Sequence, residues 1–167
     1  MPTSGNVGRV GSLDSILNYV QLAPDIGTSG QPDAAQLRAI GDAGYDAVIN
    51  LALTTSDNAI DEEGSIVAGC GMRYVHIPVD FDNPTVDDLR MYLSIMRTCE
   101  GKRVWVHCAV NARVSAFTYH YLKHVRGLDD AAARSPILDH WEMNDTWRSF
   151  MALRPEDIGP AASPLVE

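Results

Sequence analysis

The sequence predicts a single α/β domain built on a central, mostly parallel sheet flanked by helices. Three observations carry that expectation. Short strand-like apolar runs alternate with helical segments along most of the chain. Residues 46–53 (Asp-Ala-Val-Ile-Asn-Leu-Ala-Leu) are apolar almost without interruption, the pattern of a strand covered on both faces. Val104–His107 runs straight into a loop and a helix, which is the order of an α/β unit whose ligand site belongs at the carboxyl ends of its strands. With 167 residues the chain can bury a sizeable core, and 46% hydrophobic with 21% charged residues excludes a disordered or fibrous chain.

In chain order, residues 1–11 are expected to be a flexible lead-in and 12–19 a short helix bearing Ile16. Residues 19–22 fit an edge strand, and the turn-rich 23–32 follows. Residues 32–43 read as a helix: Leu37 and Ile40 share a face, Pro32 suits a first turn and Gly44 a stop. After the strand at 46–53 come a polar loop at 54–60 and a helix at 61–71, acidic in its first turn. Residues 73–79 fit a strand that Pro78 marks as ending or lying at an edge. Residues 85–99 form an amphipathic helix with Leu89, Tyr92, Leu93 and Met96 on one stripe and Asp88 placed to close a capping box on Thr85. Beyond the central strand, Phe117, Tyr121 and Val125 repeat at helical spacing until Gly127. Residues 137–153 read as a last helical region with Trp141, Trp147, Phe150 and Met151 as core, and 154–167 as a Pro- and Ala-rich disordered tail.

The formal charge of −9 argues against non-specific nucleic-acid binding and requires any positive field to be local. No run approaches the ~20 apolar residues of a membrane span. Residues 1–11 lack the apolar stretch of a signal peptide, and Cys70, Cys99 and Cys108 show no metal-type spacing, so a reducing, cytoplasmic location is expected. His120 and His124 are four apart but lack a third metal ligand, and a solvated or capping role is expected.

Chemistry concentrates at residues 104–116. The loop 108–111 delivers Cys108 to the end of a strand and the start of a helix, where unpaired N–H groups and the helix dipole stabilise an anion. A thiolate there is a nucleophile. Arg113 can turn back and hold an oxyanion with its forked donors, and His107 can orient the thiol.

The run His-Cys-Ala-Val-Asn-Ala-Arg-Val-Ser, residues 107–115, resembles the signature of the cysteine-dependent protein tyrosine and dual-specificity phosphatases: His-Cys, five residues, Arg, then Ser or Thr. It is most similar to the small bacterial tyrosine-phosphatase-like (β-lactamase-hydrolase-like) domains, in which the Arg comes one residue early. The resemblance spans about residues 19–153, within a domain expected at 12–153, and implies a dual-specificity-phosphatase-like fold in which residues 19–32 contain a strand pair. It also implies a phosphatase that passes through a phosphocysteine on Cys108. Arg113 would hold the phosphoryl oxygens together with the loop formed by His107, Ala109, Val110, Asn111 and Ala112, and Ser115 would stabilise the departing thiolate. A general-acid Asp belongs on the loop after the preceding strand, where both Asp80 and Asp82 lie, with Asp82 slightly preferred. The partner is then a phosphorylated protein or small molecule, and the scheme requires no metal or organic cofactor.

Two departures bear on this. Asn111 stands where a glycine is usual, and Asn is the least costly non-Gly residue in a left-handed conformation. Only four residues separate Cys108 from Arg113, so either a shorter loop makes Arg113 the anion ligand or Val114 occupies the Arg position and the site is silent. The shorter loop also resembles rhodanese-type sulfurtransferases, in which Cys108 would carry a persulfide; a silent phosphate-binding domain is the other alternative. Some phosphatases of the kind the chain resembles protect the catalytic cysteine as a disulfide with a second one, and that resemblance makes Cys70 a candidate partner for Cys108, beside a plain core role.

Overall fold

Five four-residue strands, rich in β-branched and aromatic residues, assemble in the computed structural model, which describes residues 13–166. They are β1 (Val20–Ala23), β2 (Ile26–Ser29), β3 (Ala47–Asn50), β4 (Arg73–His76) and β5 (Val104–His107). The helices are α1 (Ala34–Asp42), α2 (Glu63–Gly69), α3 (Val86–Thr98), α4 (Ala112–His120), α5 (Asp130–Ala133), α6 (Pro136–Asp139), α7 (Asp145–Met151) and α8 (Pro155–Ile158). A π-helical turn, Tyr121–Val125, continues α4.

The strands form one sheet in the order β1-β2-β5-β3-β4. Only β1 runs antiparallel, paired with β2 at an edge, and β5 lies in the middle between β2 and β3. The register sets Ser29 and Asn50 opposite His107, and His76 opposite Asn50, so four parallel strands end at one level. Chain leaving that level enters the loops that build the site.

Alternation along β5 divides the core. Val104 and Val106 join the cluster formed with α3, α4 and the C-terminal helices. Trp105 joins Val48, Leu37, Ile40 and Val67 on the face covered by α1 and α2. Its indole stacks on Tyr19 at 5.1 Å, meets Tyr45 edge-on at 5.2 Å, and donates from Nε1 to Ser29 Oγ. Gly27 is required beside it, since a Cβ there would lie 2.6 Å from the Trp105 ring.

Helix α3 is the element most fully specified locally. Thr85 and Asp88 form the expected capping box, and Leu89, Tyr92, Leu93 and Met96 are all buried. Truncating Leu93 to Ala would cost about 2–5 kcal/mol by lost burial and an unfilled cavity. Helix α1 starts two residues later than Pro32 suggests, because Asp33 caps it in a reciprocal box with Gln36.

Several expectations are corrected. Residues 1–11 and Ser12 lie outside the described residues. Leu13 and Asp14 are helical, but the chain then passes through turns in which Ile16 N bonds Leu13 O and Tyr19 N bonds Ile16 O, with Asn18 left-handed. The region 137–153 is two helices, because Ser135 caps α6 and Asn144 caps α7 separately. The tail at 154–166 is ordered: Ile158 and Ala162 are fully buried, Arg90 donates to Ile158 O, Arg97 to Ser163 O, and Leu165 N to Val125 O. His120 is a core residue whose Nε2 donates to Phe150 O, and its ring stacks on His124. Cys70 lies at the opposite end of the sheet from Cys108, beside Gly41 and Met72, so the length of a strand, roughly 13 Å, prevents their pairing. All three cysteines are free.

Candidate active site

The loop after β5 is held by its outward-facing carbonyls. Ala109 O accepts from Gln31 N at 3.1 Å and from Asn58 Nδ2 at 3.0 Å, while Val110 O accepts from Asn18 Nδ2 at 3.0 Å. Because a peptide's N–H points opposite to its C=O, tying these carbonyls to the outside turns N–H groups of the loop toward its interior. Gly30 bridges to Val110, and a Cβ on it would strike Ala109 O at 2.6 Å. Cys108 N donates to Ser29 O, and the Cys108 side chain is fully buried at the base of the loop.

Asn111 is the N-cap of α4 in the left-handed conformation, φ 74° and ψ 8°, which is the conformation its replacement of glycine requires. Its side chain stitches the loop to β2 and the 13–19 turns through Asn18 O at 2.8 Å and Thr28 Oγ1 at 3.1 Å.

Packing separates Arg113 from Val114. Val114 is fully buried in the apolar cluster, whereas Arg113, 6% exposed, reaches the segment that follows β4, two strands away from β5, and donates from Nη1 to Val79 O at 2.8 Å. Its guanidinium lies 5.8 Å from the Phe81 ring centre. Arg113 Nε is buried and has no partner among the described residues. A buried charged donor without an acceptor is costly, and an anion would satisfy it.

Ser115 departs from expectation. Its hydroxyl donates to Asn111 O at 2.7 Å, an i to i−4 bond that commits it to the helix start rather than to the thiol.

Asp80 and Asp82 are both exposed, on the loop that Arg113 pins at Val79 O and Trp147 pins at Phe81 O through Nε1 at 2.8 Å. Asp80 Oδ1 accepts from Asp82 N at 2.9 Å, an Asx-type turn. The Asp82 carboxylate has no hydrogen-bond partner among the described residues. Of the other expected loop residues, Ala112 is buried, Ala109 half-buried and Val110 exposed.

The sequence reading missed a buried polar network under the loop. His107 Nε2 meets Glu63 Oε2 at 2.6 Å, His107 Nδ1 meets Cys108 O at 3.2 Å, and Gln31 Nε2 donates to Glu63 Oε1 at 2.7 Å. Burial pushes the Glu63 carboxyl upward, but hydrogen bonding and charge from His107, the Gln31 amide and His76 outweigh it and hold the carboxyl below its usual range. The signal was present: Glu63 stands four residues before buried Val67, on the covered face of α2. Among the described residues, no group of three metal-ligating side chains exists.

No protein-family profile and no curated protein matches the chain. Solved structures do. A DUF442 protein of Shewanella putrefaciens CN-32, described as a candidate phosphatase, superposes with a TM-score of 0.77 at 36% identity, over 85% of this chain and 93% of that one. Kinase-associated phosphatase, with its catalytic-site cysteine replaced by serine, matches at TM-score 0.69 and 10% identity over 85% and 94% of the two chains. PTPMT1 in complex with PI(5)P matches at 0.67 and 16% over 80% and 92%. The likeness to the last two establishes the fold, and the identity and coverage of the first establish the family: the chain belongs to the DUF442 family and has the fold of the cysteine-dependent dual-specificity and tyrosine phosphatases.

Proposed function

We propose that this protein hydrolyses a phosphomonoester through a phosphocysteine on Cys108. The observation that carries the reading is the buried, unpartnered Nε donor of Arg113 at the loop that surrounds the thiol. The Cys108 thiolate attacks phosphorus in line, the bond from phosphorus to the leaving oxygen breaks, and that oxygen takes a proton from a carboxylic acid. Loop N–H groups and the guanidinium hold the equatorial oxygens as charge develops on them. Water then attacks the phosphocysteine, gives its proton to the same carboxylate, and releases phosphate with the thiolate restored.

We assign the proton transfer to Asp82, whose carboxylate is uncommitted, and the shaping of the loop to Asp80, whose carboxylate closes the turn. Among the described residues Arg113 is the one arginine or lysine bonded to the loop that carries Asp80 and Asp82, and those two exposed carboxylates are the charges nearest in sequence to Val79, where it bonds, which supports a substrate with one phosphoryl group and a leaving group without further negative charge. The loop amides receive the phosphoryl group; Ser115 is left to fix Asn111.

Hydrolysis of p-nitrophenyl phosphate by wild type and Cys108→Ser, with vanadate as inhibitor, tests the reading. Vanadate-sensitive release that Cys108→Ser abolishes is expected. Transfer of sulfur from thiosulfate to cyanide in place of that release would move the assignment to a persulfide on Cys108, and phosphate-ester binding without turnover would make the domain a silent binder.

A further inference from the structure

The charges of the molecule are sorted by end. Arg73 opens β4, Lys102 and Arg103 precede β5, and Arg97 stands in the last turn of α3, all at the amino ends of the parallel strands. At the carboxyl ends the arrangement reverses. Residues 30–33, 51–62, 77–85 and 108–111, which follow the four parallel strands, contain no lysine or arginine, whereas the loop after β3 exposes Asp57, Asp61 and Glu62 and the loop after β4 exposes Asp80 and Asp82. None of these five carboxylates has an ion-pair partner among the described residues. The loop after β3 lies against the thiol loop, because Asn58 Nδ2 donates to Ala109 O at 3.0 Å, and Glu62 directly precedes the Glu63 that meets His107. Next to them Arg113, 6% exposed, bonds Val79 O beside Asp80 and keeps a buried Nε that has no partner among the described residues. One buried donor that calls for an anion thus stands beside a rim of unpaired negative charge.

Those opposite demands define what carries the phosphoryl group. A phosphomonoester is itself an anion, and on approach to a chain of net charge −9 past exposed carboxylates it is repelled over about 8–10 Å at ordinary salt. Positive charge on the carrier offsets that repulsion and pairs with the rim. We infer that the site takes its phosphoryl group from a basic segment of a protein, with Lys or Arg within about three residues of the phosphorylated side chain. The span favours a chain over a small molecule. The loops after β3 and β4 lie one and two strand spacings from the thiol loop, roughly 5 and 10 Å, and about three extended residues cover that distance. The inference rests on the phosphatase reading for the fate of the phosphoryl group and not for the choice of carrier.

Three peptides with a central phosphotyrosine, flanked on both sides by Lys, by Ala or by Glu, provide the test at about 0.1 M and about 1 M salt. Wild type should release phosphate from the Lys peptide with a kcat/KM about 10-fold or more above that for the Glu peptide, with Ala between, and the ratio should shrink toward one at the higher salt. The triple substitution Asp57→Asn, Asp61→Asn and Glu62→Gln, at exposed positions outside the reaction scheme, should lower that ratio to about threefold or less and leave turnover of p-nitrophenyl phosphate unchanged. The wild-type ranking needs no variant to fold. Equal rates on the three peptides, a preference for Glu, or a preference undiminished in the triple variant overturns the inference, as does faster turnover of phosphocholine, a small cationic phosphomonoester, than of the Lys peptide. Peptide binding to Cys108→Ser, followed by fluorescence anisotropy, separates the two readings. If the Lys phosphopeptide binds more tightly than both the Glu phosphopeptide and the unphosphorylated Lys peptide while wild type releases no phosphate, the choice of carrier stands and the phosphatase reading fails. Turnover of p-nitrophenyl phosphate with no ranking of the peptides does the reverse, and an unphosphorylated Lys peptide that binds as tightly as the phosphorylated one also overturns the inference.

Discussion

The two loops that meet at the carboxyl ends of the strands are held in opposite ways. In the thiol loop, residues 108–111, the Ala109 and Val110 carbonyls, the Asn111 amide and the Cys108 N–H are each bonded to other parts of the chain, and Cys108 and Asn111 are buried. In the acid loop, residues 79–83, the carboxylates are exposed and the backbone is pinned to the rest of the fold at Val79 by Arg113 and at Phe81 by Trp147. The difference matches the two tasks. Stabilising a developing oxyanion depends on donors fixed before the reaction, whereas an acid must reach a leaving group whose position varies with the substrate. Arg113 bears on both, since it lies in the first turn of the helix that follows the thiol loop, with an Nε that has no partner among the described residues, and it holds the acid loop with Nη1.

That double duty predicts the largest effect. Arg113→Ala should lower kcat/KM for p-nitrophenyl phosphate by on the order of 10³-fold, and Arg113→Lys by nearly as much, because a point charge cannot replace the fork. Rescue by Lys would show that charge alone suffices and that the loops are not joined through it.

Next comes an acid sensitivity that belongs to neither loop. Burial lowers His120 to about 4, so the unfolded chain, whose histidine titrates near the ordinary 6.5, binds the extra proton first as pH falls. The stability contributed by keeping His120 neutral is complete above pH 6.5 and is lost progressively down to about pH 4, on the order of 3 kcal/mol. Urea titrations should show this slope in wild type and a shallower one in His120→Gln. Equal slopes would place the acid sensitivity elsewhere, with Glu63, lost as pH falls below its ordinary 4.5, as the next candidate.

Asp82→Asn should reduce kcat about 10²-fold on phenyl phosphate and much less on p-nitrophenyl phosphate, whose leaving group needs little protonation. If Asp80→Asn shows the larger, leaving-group-dependent loss instead, the two aspartates exchange roles. The smallest effect is expected at the second pin. Trp147→Phe preserves ring packing against Phe81 and Phe150 but removes the bond to Phe81 O, a loss of about 1 kcal/mol in urea stability. A loss of activity as large as that of Arg113→Ala would mean that the acid loop is as finely placed as the thiol loop.

What the sequence made legible follows the range of the interactions. The helix α3 stripe, its capping box, the central strand and the thiol at its end all depend on residues within a turn or a strand of one another, and each was read from spacing. The strand pair β1-β2 came only from resemblance, because Gly27, which a strand propensity disfavours, is there to admit Trp105 from 78 positions away. Glu63 and His107 are separated by 44 residues, and each looks ordinary until the fold closes. The C-terminal segment failed for a similar reason: its Pro- and Ala-rich composition hides the buried Ile158 and Ala162, and arginines of α3 anchor the segment at the Ile158 and Ser163 carbonyls. The bond from the Ser115 hydroxyl to Asn111 O was not legible either, because the signature fixes a position in the chain and not where its hydroxyl points.

The central claim is a covalent phosphoryl group on Cys108. Acid quench of Asp82→Asn during turnover of p-nitrophenyl phosphate, followed by proteolysis and mass spectrometry, tests it most directly, since that variant slows breakdown of the intermediate. The peptide containing Cys108 should gain the mass of one phosphoryl group, and no other peptide should. Steady turnover with Cys108 unmodified at every quench time, or with the phosphoryl group on another residue, would contradict the account.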